Sequence, residues 1–311
     1  MSQTTSHVIN TIFCFLLTLS SQNCTFVSKI LLKSHGSTMF DDKRYASFSK
    51  WLVKQIEPGF VHVMYNNPKT LNAFAEEDWR AYQEILTELD SDSDTTVILI
   101  SSAFAKAFSS GLNLKAAMLL IDETDALTFA QKRNKMYSHI REFQDAVAMP
   151  ARMRTPTIAL LNGVCYGLAL DLASACSIRI ATQDVKFSIR EIKIGIVADM
   201  GSLQRITRLV GNVSLVNQYA LTGEVFGAEQ ALHLGFVSEI VPDFEKGIEH
   251  CVNLGQDINS SPQWAVKGTK ESIQYIADGG SHELGLLNIA EYNAVHLVGG
   301  LPENDFGKSK L

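Results

Sequence analysis

The sequence predicts an α/β core followed by an α-helical C-terminal subdomain. Up to about residue 242, short β-branched segments alternate with longer segments of helical periodicity, and beyond that point only helical patterns follow. We therefore divide the chain into an N-terminal extension (1–38), an α/β core (39–242) and a helical C-terminal region (243–311). With 311 residues, 46% of them apolar, the chain can bury a sizeable core.

The predicted strands are short runs of β-branched and other apolar residues. The run at 96–101 is almost continuously apolar, which is typical of a strand covered on both faces. The run at 157–161 has the same character and is followed by Asn162-Gly163, a turn signal. The predicted strands are 61–65, 96–101, 157–161, 178–181, 185–188 and 236–241.

The predicted helices carry apolar residues at helical spacing. The segment 74–89 also has acidic residues in its first turn, where the helix dipole favours them. The long segment 124–147 ends before Pro150. The predicted helices are 74–89, 124–147, 203–209 and 214–221 in the core, and 244–259, 263–277 and 283–297 in the C-terminal region.

Charge and cysteine content exclude several classes of protein. A formal net charge of −6 argues against a protein that follows the nucleic-acid backbone, because such a protein needs a basic surplus. No run of 18 apolar residues occurs in the sequence, so we expect no membrane-spanning helix. The five cysteines form no C-x-x-C pair and the histidines match no ligand spacing, so we expect no metal site.

Two glycine turns each follow a predicted strand and lead into a helix. The first spans 106–114 (Lys-Ala-Phe-Ser-Ser-Gly-Leu-Asn-Leu) and the second spans 161–171 (Leu-Asn-Gly-Val-Cys-Tyr-Gly-Leu-Ala-Leu-Asp). At such a junction, backbone N–H groups can hold an oxyanion or a phosphate. Two turns together can aim two N–H groups at one carbonyl oxygen, as the enolate of a thioester requires. Taken singly, each pattern also fits an ordinary strand-to-helix turn.

Three carboxylates, Asp171, Glu191 and Asp199, lie in largely apolar stretches. Burial raises the pKa of a carboxylic acid, so such groups can exchange protons near neutral pH. Each of them could instead cap a helix or form a buried ion pair, and the candidate partners are Arg179, Arg190 and Arg205. The sequence contains no nucleophile elbow, phosphate-binding loop or dinucleotide-binding glycine motif, so hydrolase, nucleotidase and dehydrogenase functions lack their signatures.

From about residue 66 to about residue 298, the chain resembles the crotonase (enoyl-CoA hydratase/isomerase) superfamily. The segments that carry the resemblance are 66–73, 108–114, 162–171, 201–205 and Val210-Gly211. Within the superfamily the acids resemble those of the Δ3,5-Δ2,4-dienoyl-CoA isomerases of peroxisomal type. These enzymes have an Asp, a Glu twenty positions later and an Asp eight positions beyond it, as Asp171, Glu191 and Asp199 are spaced here. Hydratases place a Glu at the first of these positions and a Gly at the third, and simple Δ3-Δ2-enoyl-CoA isomerases depend on one principal carboxylate.

The resemblance implies a spiral of ββα units, a C-terminal trimerisation region and a homo-oligomer, either a trimer or a hexamer. It also implies an acyl-CoA thioester substrate, no cofactor, and conversion of 3,5-dienoyl-CoA to 2,4-dienoyl-CoA in fatty acid β-oxidation. The alternatives are a Δ3-Δ2-enoyl-CoA isomerase, an enoyl-CoA hydratase, or an inactive CoA-binding subunit.

The resemblance further implies a role for each site residue. The amides of Leu112 and Leu168 would hold the thioester oxygen, Asp199 would act near C2, Glu191 near C6, and Asp171 would orient or tune the pair. Relatives commonly have Gly-Gly-Gly where this chain has Gly167-Leu168-Ala169, and leucine lacks the φ freedom of glycine, so we expect Leu168 to narrow the approach. The remaining substrate-binding residues would be Ser110, Gly111, Asn113, Leu114 and Gly167, with Lys106 or Lys115 meeting the CoA phosphates unless these are solvated surface lysines.

The two ends of the sequence carry address signals. Residues 1–38 contain Lys29 and Lys33 but no acidic residue, and we expect them to be an unstructured appendage or to precede a working start at Met39. The apolar stretch 12–19 resembles the core of a signal peptide but no basic residue precedes it. Ser309-Lys310-Leu311 matches the tripeptide read by the peroxisomal import receptor, so we expect a location in the peroxisomal matrix.

Overall fold

The computed structural model describes residues 42–117 and 127–298. The chain divides into two units, Met1–Phe40 and Asp41–Leu311. The predictions for residues 1–38, for Met39 and for the terminal Ser309-Lys310-Leu311 lie outside the described residues. The strands of the described part are β1 (Trp51–Glu57), β2 (Phe60–Tyr65), β3 (Val97–Ser102), β4 (Ala107–Ser109), β5 (Thr157–Leu161), β6 (Val164–Tyr166), β7 (Ile178–Thr182), β8 (Lys186–Ser188), β9 (Phe226–Gly227) and β10 (Glu239–Val241).

The helices of the described part fall into a core set and a C-terminal set. The core set is α1 (Glu76–Ser91), α2 (Phe129–Val147), α3 (Met149–Arg152), α4 (Leu168–Ala175), α5 (Ser202–Leu209), α6 (Val213–Thr222) and α7 (Ala228–Leu234). The C-terminal set is α8 (Phe244–Asn259), α9 (Gln263–Ala277) and α10 (His282–Val298). None of these helices combines the length and the apolar character that a membrane span requires.

Two sheets form the core of the fold. The larger sheet has the strand order β1-β2-β3-β5-β7-β10, and all its neighbouring pairs are parallel except β1 and β2. The smaller sheet has the order β4-β6-β8-β9, with β4, β6 and β8 parallel. Because β3, β5 and β7 are each followed within a few residues by β4, β6 and β8, the chain alternates between the two sheets. This arrangement confirms the predicted α/β core of ββα units.

Burial explains why the central strands are continuously apolar. Every residue of β3 and of β5 is buried, as expected for parallel strands covered on both faces. On one face α8 packs against β3 and β5. A side chain at Gly255 of this helix would lie 2.2 Å from the Phe60 ring, so the glycine permits the close approach of helix and sheet.

The structure corrects the bounds of several predicted elements. Helix α2 begins at Phe129 rather than 124, because Thr128 is extended and its hydroxyl accepts a hydrogen bond from the Gln131 N–H, which caps the helix. The predicted strand 236–241 is confined to β10, because the N–H groups of Phe236 and Val237 donate to the carbonyl of Ala231 at the end of α7. Strands β1, β4, β6 and β9 and helix α7 were not predicted from the sequence.

Candidate active site

The first glycine turn follows β4, and hydrogen bonds hold its backbone on both sides of Leu112. Gly111 has a φ of +100°, and its N–H donates to the Ser109 hydroxyl at 3.0 Å. The Phe74 N–H donates to the Gly111 carbonyl at 2.9 Å, and the Asn113 N–H donates to the Phe74 carbonyl at 2.8 Å. Between these bonds, the Leu112 N–H has no backbone acceptor within residues 42–117 and 127–298. The turn therefore presents one free amide.

A buried asparagine that the sequence analysis did not single out supports this turn. Asn72 is fully buried and has a φ of +59°, a left-handed conformation that asparagine tolerates. Its side-chain amide donates to the backbone carbonyls of Tyr65 and Phe108. The backbone carbonyl of Asn72 accepts a hydrogen bond from the Ser109 hydroxyl at 2.7 Å. Asn72 thus joins the end of β2 to the strand that precedes Gly111.

The second glycine turn presents a second amide. Gly167 has a φ of +54° and follows β6, and its N–H donates to the Ser188 carbonyl at 2.9 Å. Leu168 is the first residue of α4, where a helix leaves its N–H groups without an internal partner. The φ of Leu168 is not positive, so the conformational freedom of glycine is needed at Gly167 and not at Leu168. The side chain of Leu168 is buried, with 4% of it exposed.

The two turns touch each other. A Cβ atom on Gly111 would lie 2.8 Å from the Tyr166 carbonyl oxygen and 3.7 Å from the Leu168 nitrogen. The Leu112 amide, on the residue that follows Gly111, is therefore a neighbour of the Leu168 amide. Because of its positive φ and this close approach, position 111 accommodates glycine alone without strain. The arrangement can direct two N–H groups at one oxygen atom.

Glu191 lies beside the second turn. It begins a short 3-10 helix, Glu191–Ile194, and its Oε1 would lie 3.0 Å from a Cβ atom on Gly167. Its Oε2 is buried and has no hydrogen-bond partner among the described residues. Burial raises the pKa of Glu191, and the charge of Asp199 adds to the rise. The carboxyl group therefore lies against the residue that precedes Leu168.

Asp199 lies in the irregular segment between that 3-10 helix and α5. Burial raises the pKa of Asp199 as well. The charge of Asp199 in turn contributes to the raised pKa of Glu191. Its backbone carbonyl accepts a hydrogen bond from the side-chain amide of Gln144, on α2, at 2.6 Å. Within the described part of the chain, neither acid forms an ion pair with an arginine. The ion-pair alternative therefore does not apply to these two residues.

Asp171 is the most deeply buried of the three acids, with 1% of its surface exposed. Its Oδ1 accepts a hydrogen bond from the Ser202 N–H at 2.6 Å, so it caps the N-terminus of α5. Arg205 donates to the backbone carbonyl of Asp171 at 2.9 Å rather than to its carboxylate. Burial raises the pKa of Asp171 to about 7, and the charge of Glu191 contributes to this rise. Asp171 thus combines the capping role considered from the sequence with electrostatic coupling to Glu191.

The remaining predicted binding residues lie around the first turn. Ser110 donates through its hydroxyl to the Thr70 carbonyl at 2.8 Å, and the Asn113 side chain accepts from the Ala116 N–H at 3.3 Å. Leu114 is 45% exposed. Both Lys106 and Lys115 are exposed, and neither forms an ion pair with another described residue.

An open cleft of about 1200 Å³ is lined mainly by residues of α5, α8 and α9. Arg205 and Ser174 line it, whereas Gly111, Glu191 and Asp199 do not. No cluster of three or more His, Cys, Asp and Glu side chains in the described ranges could hold a metal ion.

Comparison with known proteins identifies the family. The model of the family described as "Enoyl-CoA hydratase/isomerase" matches residues 55–283. A mitochondrial Δ3,5-Δ2,4-dienoyl-CoA isomerase of Rattus norvegicus is 32% identical over 237 residues, which are 76% of this chain and 71% of the rat protein. A peroxisomal Δ3,5-Δ2,4-dienoyl-CoA isomerase of Arabidopsis thaliana is 30% identical over 246 residues, 79% of this chain and 87% of the plant protein.

The fold is also found among solved structures. The crystal structure of an enoyl-CoA hydratase from Shewanella pealeana is similar, with a TM-score of 0.72 at 20% identity, covering 84% of this chain and 93% of that chain. The chain belongs to the enoyl-CoA hydratase/isomerase family, the crotonase family, and is an enzyme of that family. The resemblance drawn from the glycine turns and the three acids is confirmed.

Proposed function

We propose that the enzyme converts 3,5-dienoyl-CoA to 2,4-dienoyl-CoA. One observation carries the proposal: Glu191 lies against Gly167 of the paired glycine turns, and the charge of Asp199, in the segment that follows the same 3-10 helix, contributes to the raised pKa of Glu191. The Δ3,5-Δ2,4-dienoyl-CoA isomerases of the rat and of Arabidopsis thaliana, to which the chain is similar, support the same reaction.

The amides of Leu112 and Leu168 bind the thioester oxygen in this proposal. Removal of a proton from C2 places negative charge on that oxygen, and preorganised N–H donors stabilise such charge more strongly in the transition state than in the substrate. The free N–H of Leu112 and the N-terminal position of Leu168 in α4 support this role. The remaining residues of the first turn, Ser110, Asn113 and Leu114, surround the acyl-CoA, and Lys106 or Lys115 meets its phosphates.

Two carboxyl groups divide the proton transfers. Asp199, as the carboxylate, takes the proton from C2, and the resulting charge delocalises along the conjugated chain. Glu191, in its acid form, gives a proton to C6, which moves both double bonds from positions 3 and 5 to positions 2 and 4. The uptake of one proton by Asp199 balances the loss of one by Glu191. The raised pKa of Glu191 and its buried, unpartnered Oε2 support its role as the acid.

Asp171 acts as the orienting residue of the pair. Its carboxylate holds the N-terminus of α5 through the Ser202 N–H, and this helix follows Asp199 by only a few residues. Its charge interaction with Glu191 also links the protonation of the two groups. In this proposal Asp171 therefore orients and tunes the pair of acids.

A spectroscopic assay tests the proposal directly. The full chain is incubated with a synthetic 3,5-dienoyl-CoA, and formation of the conjugated 2,4-dienoyl product is followed by absorbance. A hydration assay with a 2-enoyl-CoA and an isomerisation assay with a 3-enoyl-CoA are run beside it. We expect turnover in the first assay. Hydration alone would identify a hydratase, conversion of 3-enoyl-CoA alone a Δ3-Δ2-enoyl-CoA isomerase, and binding of CoA with no turnover an inactive subunit.

The proposal places the reaction in the peroxisomal matrix. The tripeptide Ser309-Lys310-Leu311 and the peroxisomal relative of Arabidopsis thaliana support this compartment, whereas the rat relative is mitochondrial. Fluorescence microscopy of the full chain with an N-terminal fluorescent tag, with and without these three residues, distinguishes the two. Mitochondrial fluorescence, or peroxisomal fluorescence that does not depend on the tripeptide, would refute the role of the import receptor.

A further inference from the structure

An unusual pattern of hydrogen bonds holds the backbone segment that carries Asp199. Residues 197–200 form no backbone–backbone hydrogen bond with any residue of the described ranges 42–117 and 127–298. The neighbouring 3-10 helix and α5 each have their own backbone hydrogen bonds. The segment without such bonds is therefore confined to the residues around the Asp199 carboxylate. The position of Asp199 therefore depends on side chains from other elements.

Two such side chains bind consecutive carbonyl groups. The Gln144 Nε2 donates to the Asp199 carbonyl at 2.6 Å, and the Arg205 Nη2 donates to the Met200 carbonyl at 2.8 Å. Arg205 also donates to the Asp171 carbonyl and to the Ser174 hydroxyl, each at 2.9 Å, and is thereby fixed to α4. The segment is thus held from α2 on one side and from α5 on the other.

Gln144 is itself held in a defined orientation. Its neighbours Phe143 and Ala146 on α2 are buried, so this part of the helix is anchored in the core. The Gln144 Oε1 accepts a hydrogen bond from the Arg141 Nη1 at 2.8 Å, which leaves the amide nitrogen to face Asp199. The hydrogen bond to Asp199 therefore connects a rigid helix to an otherwise weakly held loop.

We propose that Gln144 is a positioning residue for Asp199, acting with Arg205 as a clamp on the two carbonyls. This inference rests on the proposed function, in which Asp199 takes a proton from the substrate. Fixing the carbonyl of Asp199 fixes the backbone from which its carboxylate projects, and a base must lie within hydrogen-bond reach of the proton it takes. A displacement of about 1 Å in such a group can lower the rate by about 100-fold.

Hydrogen exchange tests the structural half of the proposal. In the full chain, Gln144→Met removes the donor at nearly constant side-chain volume, and Gln274→Met makes the same change at a half-buried glutamine of α9 whose amide donates to Asp278. We expect faster exchange of the Ile196 and Ser202 N–H groups, which donate to the Glu191 carbonyl and to Asp171 Oδ1 at the two ends of the segment, in the first variant alone, with both variants folded. Unchanged exchange of both amides would overturn the proposal, because the hydrogen bond from Gln144 would then not hold the segment.

Kinetics test the catalytic half. Gln144→Met should lower kcat for 3,5-dienoyl-CoA by about 10- to 100-fold while KM changes by no more than about twofold, since the substrate contacts remain. Added to Asp199→Asn, the same substitution should cost little more, because Gln144 acts through Asp199. Additive losses, or an unchanged kcat in an active parent, would overturn the proposal. If the parent converts no dienoyl-CoA, the proposed function fails, and the exchange experiment still decides whether Gln144 holds the segment.

Discussion

At the scale of single residues, the site depends on carboxyl groups whose surroundings keep protons available. Glu191 and Asp199 both have a raised pKa because of burial, and Asp199 raises that of Glu191 further. Neither is neutralised by an arginine in the described part of the chain. Two acids that repel each other in this way tend to share their protons unequally, one as acid and one as base.

The first prediction concerns these two acids. Glu191→Gln and Asp199→Asn remove a proton-transfer group without a change in size, and each should lower kcat by about 100- to 10,000-fold. Steady-state kinetics with 3,5-dienoyl-CoA measure the effect, and Glu142→Gln, at an exposed acid on α2 that pairs with Arg80, serves as the matched control. Activity near that of the parent in either site variant would refute its assignment.

The second prediction concerns the pH dependence of stability. The pKa of Asp171 rises from 3.8 to about 7 on folding, so between these values the folded state binds the proton more tightly than the unfolded state. The free energy of unfolding contributed by this group therefore falls as pH rises from about 4 to 7. Asp171→Asn removes this titration and keeps an oxygen that can accept from Ser202.

Urea unfolding at several pH values measures the effect. The stability of Asp171→Asn relative to the parent should grow between pH 5 and 7 and level off above it, by up to about 4 kcal/mol over the full titration. Asp257→Asn, at an exposed aspartate of α8, makes the same substitution as a matched control for the change of residue type. A difference between Asp171→Asn and the parent that does not change with pH would contradict the prediction.

At the scale of elements, two strand-to-helix turns present the backbone amides of the proposed site. Gly167 has a φ of +54° and faces Glu191, whereas Gly235, at the end of α7, has a φ of +82° and no atom within 4 Å of a Cβ position. Gly235 is in the left-handed helical region, with a ψ of 16°, whereas Gly167 has a ψ of −118°. Both conformations have a positive φ and are accessible at little cost only to glycine, so the pair compares a strained position in contact with the acid with one that has no such contact.

The third prediction compares alanine at these two glycines. Gly167→Ala and Gly235→Ala should each lower the free energy of unfolding by about 1–3 kcal/mol, because both residues have a positive φ in a backbone region that alanine rarely adopts. Only Gly167→Ala should also lower kcat, because its new methyl group would lie 3.0 Å from Glu191 Oε1 and displace the carboxyl group. Unfolding curves and kcat of the two variants decide this, and equal kcat values would show that Gly167 does not position the acid.

At the scale of elements, some features of the fold could be predicted from the sequence and others could not. The buried strand β5 and the helices α8 and α9 match their predicted bounds, since their apolar periodicity extends over the whole element. Strands β4 and β6 have three residues each, too few to show a period of two, although both precede the glycine turns. The three acids are identifiable by spacing, but Gln144 is one polar residue among many on α2, and only the fold brings it to Asp199.

At the scale of the whole molecule, the C-terminal helices leave apolar surface uncovered. No residue of α10 is buried, although Leu286, Leu287 and Val295 are 57%, 60% and 69% exposed. On α9, Ile273 is 67% exposed. Large apolar side chains exposed on two packed helices are typical of a protein–protein interface. It supports the prediction, which follows from the resemblance, that residues 243–311 assemble the chain into a trimer or hexamer.

The fourth prediction tests this assembly. Light scattering coupled to size-exclusion chromatography should give three or six times the chain mass of 34.3 kDa. Leu287→Glu places a charge on the exposed face of α10 and should shift the mass toward the monomer, because burying an unpaired charge is costly. Leu232→Glu makes the same change on α7, at a residue that is 40% exposed, and should leave the mass unchanged. A parent chain that elutes as a monomer would refute the predicted oligomer, and an unchanged mass of Leu287→Glu would show that this face of α10 lies outside the interface.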